Sequence, residues 1–267
     1  MRKFAACLLM LLCVASGLRA NPYAQNITVQ VLPGWRMENG QHMAGLRLQL
    51  ADGWKTYWRA PGDAGLPPLF DWSGSDNIAA IAPQWPTPRV FWLNGMRSIG
   101  YKRELVLPLA VTPQREGAEM RLRGHVQLGI CNQICVPVDL QLDTVLPAVG
   151  QPDPLVQKAL RNRPAAAADL GIHDVTCDIM PTGQGMELRA AIALPRLPGI
   201  AAVVVETADP DVWVAEAELQ RSGAMLRATT QMMHLAGGAF MLDRSGLRLT
   251  VLAEDGQAVD IRGCPAP

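Results

Sequence analysis

A surplus of charge of either sign is missing from this sequence. Its 24 lysines and arginines face 24 aspartates and glutamates. No basic cluster or stripe breaks the balance, which speaks against a surface that grips nucleic acid through its phosphates. Beyond the N-terminus there is no apolar run long enough for a membrane helix. GIAAVVV (199–205) has the length of a buried strand, against the roughly 20 residues a spanning helix needs. Also absent are a Ser-His-Asp pattern, a phosphate-binding loop and a carboxylate pair in recognisable context. No Cys-x-x-Cys opens a helix, so the usual device for depressing a thiol pKa in thioredoxin-like proteins is missing.

What is present begins with MRKFAACLLMLLCVASGLRA (1–20). Arg2 and Lys3 precede an apolar stretch at 4–14, the plan of a secretory signal peptide. Ser16 and Ala20 offer two cleavage points, and the bulky Leu12 before Cys13 argues against a lipid-anchored product. The expected product is exported and soluble, with no membrane span. Removing residues 1–20 takes away Arg2, Lys3 and Arg19 and no acids, leaving 21 basic against 24 acidic residues, a net charge of −3. About 247 residues remain, enough for one large domain or two of ordinary size. Of six cysteines, Cys131, Cys135, Cys177 and Cys264 survive processing. An even number in an oxidising compartment suggests disulfides, with three connectivities open.

Most of the chain reads as short alternating strands punctuated by Gly, Pro and Asp: ITVQVL (27–32), AGLRLQLA (44–51), RELVLPLAV (103–111), MRLRGHVQLGI (120–130) and CVPVDLQL (135–142). After residue 170 the pattern resumes with IHDVTCDI, MELRAAIAL, AAVVVET, DVWVAEAEL, AMLRATTQM and LRLTVLAED. Many short strands at this spacing predict an all-β chain of antiparallel sandwiches. The one helix candidate is QPDPLVQKALRNRP (151–164), with Asp153 as cap, Pro154 at the first helical position and Pro164 as stop. The expected organisation is a sandwich over 21–149, a helical and Ala-Pro-rich linker over 150–169, and a second β-sandwich over 170–267.

GICNQICVP (129–137) carries the sharpest signal. If residues 132–134 form a three-residue hairpin loop, Cys131 faces Cys135 across an antiparallel ladder, close enough to bridge. Alternation then places Leu122, Val126, Leu128 and Ile130, opposite Val136, Val138, Leu140 and Leu142, on the core side. The cysteines fall on the other, polar side with Arg121, Arg123, His125, Gln127, Asp139, Gln141 and Asp143, so they are expected to face outward. Gly129 beside Cys131 would leave room for another protein's backbone to approach. In the chain-entropy model a bridge across so short a loop stabilises by only roughly 2 kcal/mol, against about 4.6 for one joining Cys177 to Cys264. An outward bridge that stabilises little fits exchange chemistry better than a staple, although a hairpin-closing structural disulfide remains an alternative. A metal site is disfavoured: no further thiol or imidazole ligand is near, and His125 would lie about 20 Å along the strand.

The other signals are weaker. Cys177 and Cys264 lie near the ends of the second domain, and a structural bridge between its first and last strands is the simplest reading. Trp54, Trp58, Trp72, Trp85 and Trp92 crowd residues 54–92, read as sandwich core and loop packing, with a ligand platform or a shield over the cysteines as alternatives. Met232 and His234 share a strand face and could form a copper(I) pair. His42 and His173 are expected as ordinary surface or loop residues.

Three separated stretches, DGWKTYWRAPGDAGLPPLFDWSGSDNI (52–78), GYKRELVLPL (100–109) and GICNQICVP, together resemble the N-terminal periplasmic domain of the transmembrane disulfide reductase DsbD, in its copper-sensitivity-suppressor variety, ScsB. The resemblance covers about residues 25–145, and 170–267 resembles the second sandwich of the longer ScsB-like regions more weakly. It implies immunoglobulin-like sandwiches, a periplasmic location, and a cysteine pair that passes electrons to thioredoxin-like proteins. It also implies that Cys135 attacks the partner disulfide while Cys131 resolves, and that a cap loop shields the pair. The counterpart of that loop is VFWLNGMRSIG (90–100), with Phe91 and Trp92 as shielding side chains. DsbD joins this domain to a membrane electron channel and a thioredoxin domain. Neither is found in these 267 residues, so the expected electron source is a separate protein, with a membrane electron-transfer protein as one candidate partner, and the alternative is a role as receiver or interaction module only. The cysteine spacing is also shorter than in the best-known members.

The expectation is therefore a periplasmic thiol–disulfide relay without cofactor or metal. Its rivals are a non-enzymatic binding module with structural disulfides and a copper-handling protein that serves copper tolerance.

Overall fold

Among the described residues ten strands precede the α-helix: β1 (Ile27–Arg36), β2 (His42–Leu50), β3 (Lys55–Tyr57), β4 (Leu69–Asp71), β5 (Ile78–Pro83), β6 (Arg89–Leu93), β7 (Met96–Lys102), β8 (Glu104–Pro113), β9 (Met120–Cys131) and β10 (Cys135–Leu146). The computed structural model describes residues 23–267 apart from Ala64, Asn94, Pro195, Arg196, Pro198 and Ala239; the expected signal peptide lies outside the described residues. One sheet runs β1-β2-β8-β5, the other β10-β9-β3-β7-β6 with β4 also paired to β9. Alternation explains the sandwich. Leu46 and Leu48 of β2 and Leu105, Leu107 and Leu109 of β8 point inward from one sheet. They meet Ile99, Leu122, Val126, Leu128, Ile130 and Leu140 from the other, all buried in one cluster with Trp58.

Helix α1 (Pro154–Arg161) starts where Asp153 accepts hydrogen bonds from the backbone N–H of Leu155 (2.8 Å) and Val156 (3.2 Å), with Pro154 at the first turn, a strong N-terminal cap. Its Val156 is fully buried against Leu32, Met43 and Ala110. A Cβ on Gly45 of β2 would stand 2.6 Å from a Val156 methyl, so glycine there admits the helix. The stretch between the two sandwiches is thus docked on the first of them rather than strung loosely.

The chain continues through β11 (Ala165–Ala166), β12 (Val175–Pro181), β13 (Met186–Ala193), β14 (Ile200–Glu206), β15 (Val212–Val214), β16 (Glu218–Ser222), β17 (Met225–His234), β18 (Arg248–Ala253) and β19 (Ala258–Arg262). These strands form sheets β11-β19-β18-β14 and β12-β13-β17-β15, with β16 on β17. The whole is an all-β, immunoglobulin-like, multi-domain chain. β14 is apolar from Ile200 to Val205 because both its faces are covered. Val203 and Val205 enter the core of the second sandwich, whereas Ala202 and Val204, with Leu252 and Ala258, join the core cluster of the first. Two ion pairs cross the same boundary. Arg59, stacked 3.9 Å from the Trp58 ring centre, binds Glu206 through two hydrogen bonds of 2.8 and 2.9 Å, and Arg97 meets Glu216 at 3.2 Å.

Candidate functional site

The β9–β10 hairpin pairs Cys135 with Cys131, Val136 with Ile130 and Pro137 with Gly129, in unbroken register to Leu146 opposite Met120. The two cysteines are joined as a disulfide with Cα atoms 4.1 Å apart. Their exposure differs from the sequence expectation. Cys135 is exposed, but Cys131 is only 2% exposed. Alternation along β9 and β10 describes one strand pair, whereas β9 has a second neighbour: β3 lies along its other edge, with Lys55 opposite Cys131 and Thr56 opposite Ile130. Side chains of β3 and of the loop after it therefore cover the polar face near the hairpin tip.

Tyr57 is the main cover. It is buried, and its hydroxyl lies 3.0 Å from the Cys135 sulfur. Burial raises its pKa above the ordinary tyrosine value, so it stays a neutral phenol able to donate to a thiolate. A Cβ on Gly129 would stand 2.9 Å from both Leu66 Cβ and the Tyr57 ring. The gap at Gly129 thus receives Tyr57 and not a partner's backbone, which corrects the expectation for that glycine.

Across the sheet, Cys135, Cys131, Lys55 and Lys102 stand in one row of paired residues on β10, β9, β3 and β7. Lys55 is 8% exposed and donates to the Ser98 hydroxyl at 2.7 Å. Burial, reinforced by the Lys102 ammonium, holds its pKa below the ordinary lysine value. Phe91 of β6, opposite Ser98, is half-buried on this face. Its ring centre is 5.4 Å from the Lys55 nitrogen and 4.8 Å from that of Lys102. Trp92 points the other way, paired with Arg97. It is 60% exposed and lines a groove with Ile200, Leu252 and Glu254 of the second sandwich. The stretch read as a cap loop is a β-hairpin, β6–β7, and strand alternation sends its two aromatics to opposite faces.

Cys177 and Cys264 form the second disulfide, Cα atoms 5.5 Å apart, with both residues at most 1% exposed. The chain end is stitched to β12 around it, as Cys177 N–H donates to Pro265 and Arg244 donates to the Cys177 carbonyl. The copper pair does not assemble: Met232 is fully buried in the second core. His234 sits at the rim, its ligand atoms within 4.8 Å of those of Asp209 and Asp211. There its Nδ1 accepts the Ala236 N–H at 3.2 Å, and its Nε2 faces an Asp209 carboxylate oxygen 3.7 Å away. The tryptophans pack: Trp58 is buried outright, Trp72 stacks on Phe70 and Trp85 on Tyr101. His42, expected at the surface, is buried beside the Pro33 carbonyl.

Lys55, Tyr57 and Ser98 escaped the sequence reading. For Lys55 and Tyr57 the available signal was the alternation in WKTYW, every second residue facing the cysteines and those between facing the core.

This geometry has relatives. Residues 26–147 match the family model described as "Thiol:disulfide interchange protein DsbD, N-terminal". Residues 26–147 belong to the DsbD N-terminal family. The matched segment holds both sheets of the first sandwich and both hairpin cysteines. A crystal structure of the N-terminal periplasmic domain of ScsB from Proteus mirabilis is similar to the chain with a TM-score of 0.67 at 22% identity, over 92% of this chain and 96% of that one. At that identity the likeness speaks for the fold. No curated protein matches the chain. Among the described residues, no helix is long and apolar enough to cross a membrane.

Proposed function

We propose that this protein works in the periplasm as a thiol–disulfide relay, passing reducing equivalents through Cys131 and Cys135 to thioredoxin-like partners. The observation that carries the reading is the asymmetry of one short-loop disulfide. Its Cys135 end is exposed and touched by a tyrosine hydroxyl, and its Cys131 end is buried, within a domain of the DsbD N-terminal family. An exposed sulfur can reach a partner and a buried one can only reach its neighbour, which matches attack by the first and resolution by the second.

In the reduced protein, the Cys135 thiolate attacks one sulfur of a partner disulfide, and the partner's other sulfur leaves as a thiolate. Cys131 then attacks Cys135 in the mixed disulfide, the bond to the partner breaks, and the electron pair departs on the partner sulfur. The partner leaves as a dithiol and the Cys131–Cys135 disulfide is restored. A separate membrane electron-transfer protein would reduce it again. Phe91 takes the shielding role on the cysteine face, and Trp92 takes none. Cys177–Cys264 is structural. The sandwich over 21–149 carries the chemistry, and 170–267 supports it through the contacts to Arg59 and Arg97. The test is capture: with Cys131→Ser, Cys135 should trap a thioredoxin-like protein from periplasmic extract as a reducible mixed disulfide. Absence of any such adduct refutes the relay.

A further inference from the structure

Lys55 is a buried cation with a second cation beside it, and among the described residues it forms no ion pair with a carboxylate. A buried ammonium in that state is costly. Among the described residues its one hydrogen bond is to the Ser98 hydroxyl at 2.7 Å, and the rings of Phe91 and Tyr57 lie 5.4 and 5.9 Å from the nitrogen. Directly opposite it in the ladder is Cys131. Side chains so opposed have Cβ atoms about 4.5–5.5 Å apart. The other charged groups on this face are Lys102 on β7 and Arg89 on β6 and, farther along β9, β10 and β4, His125 bound to Asp139, Arg121 and Arg123 bound to Asp143, and Asp71 opposite His125.

The oxidised site therefore holds a cation without its anion, and opening the disulfide creates an anion next to it. We propose that Lys55 is a positioning residue of the exchange: its ammonium is the counter-ion that keeps the buried Cys131 as a thiolate, ready to resolve the mixed disulfide. Burial alone would favour the unreactive thiol at Cys131. With Lys55 opposite it, Cys131 waits as a thiolate while Cys135 is bonded to the partner. The proton lost from Cys131 goes to solvent, and the departing partner thiolate can take one up. The two cysteines thus have separate supports on one strand, Tyr57 for Cys135 and Lys55 for Cys131. The inference rests on the relay reading for its purpose, but its measurement does not.

The test uses the full chain with Cys135→Ser, leaving Cys131 as the free thiol, and follows thiolate absorbance near 240 nm against pH. With Lys55 intact, Cys131 should titrate below the ordinary cysteine value. Lys55→Met should cut the thiolate fraction at pH 7 by roughly tenfold or more, and Lys55→Arg should restore most of it. In the protein with both cysteines, Lys55→Met should make the pair more reducing by about 30 mV for a tenfold change in the exchange equilibrium. A merely structural Lys55 would move neither value. Should Lys55→Met fail to fold, Lys55→Gln, which can still bond Ser98, carries the same test. A titration midpoint unchanged by removing the charge overturns the inference, even if partners are still captured. A shifted midpoint with no captured partner leaves Lys55 as assigned and removes the relay.

Discussion

Removing one oxygen atom from Tyr57 isolates what supports the attacking sulfur. In Tyr57→Phe the ring keeps its packing against Gly129 and Leu66, and only the hydroxyl 3.0 Å from the Cys135 sulfur is lost. A disulfide sulfur is a weak acceptor and a thiolate a strong one, so the bond matters mainly in the reduced state. Hydrogen bonds to charged groups contribute about 1.5–3 kcal/mol, and 1.36 kcal/mol corresponds to one pH unit of midpoint. The midpoint for Cys135 reactivity should therefore rise by about one to two units, and the lower end is taken here. The assay is the rate at which the Cys131→Ser protein attacks a small aromatic disulfide between pH 5 and 10. A more basic thiolate is also a better nucleophile, by about threefold per unit. The Tyr57→Phe profile should lie roughly threefold below the parent at low pH and roughly threefold above it on the alkaline plateau. Crossing curves are the signature. Two profiles with the same midpoint, whatever their heights, would refute the assignment of the hydroxyl to the Cys135 thiolate.

Three further outcomes follow from the packing and the charges. Glu206→Leu strands the buried Arg59 guanidinium over Trp58, which should cost about 3 kcal/mol and lower the Tm by roughly 6–12 °C in a chain of this size; adding Arg59→Met should recover most of that loss in calorimetry. Burial holds the His42 pKa below its ordinary value, outweighing the Pro33 carbonyl bond that favours protonation. The unfolded chain therefore takes up the proton first, so stability is complete above pH 6.5 and is lost as the pH falls toward the folded-state value. Urea unfolding at pH 5 and 7.5 should show a gap that His42→Gln narrows. Breaking Cys177–Cys264, which closes a separation of 87 residues, should cost about 4.6 kcal/mol in denaturant unfolding, against roughly 2 for Cys131–Cys135, separated by 4.

The hairpin was legible from three facts in GICNQICVP and its flanks: the loop length, the strand-forming neighbours and the alternation. Together they place Cys131 opposite Cys135 and put Val126, Leu128, Ile130, Val138 and Leu140 in the core, and both placements are found. The surroundings of the sulfurs were not legible, because they depend on which strand lies beside β9. β3 is three residues long, and its Lys55 stands 76 positions before its partner Cys131; nothing local in either segment announces their pairing. That non-local contact buries Cys131, fills the space at Gly129 and sets Lys55 and Tyr57 against the two cysteines. The cap stretch, expected as a loop from the resemblance, is the β6–β7 hairpin, whose two faces serve different neighbours. The second sandwich was legible as strands, but its hold on Arg59 and Arg97 needs charges far apart in sequence to meet.

The reduction potential of the Cys131–Cys135 pair tests the relay most directly. The mature protein would be equilibrated in thiol redox buffers, alkylated and read by peptide mass spectrometry, with Cys177–Cys264 as internal comparison. The account predicts a value between roughly −180 and −270 mV, the range of exchange-active dithiols, while Cys177–Cys264 stays oxidised. A value below about −300 mV would make the hairpin bridge a structural disulfide and contradict the relay.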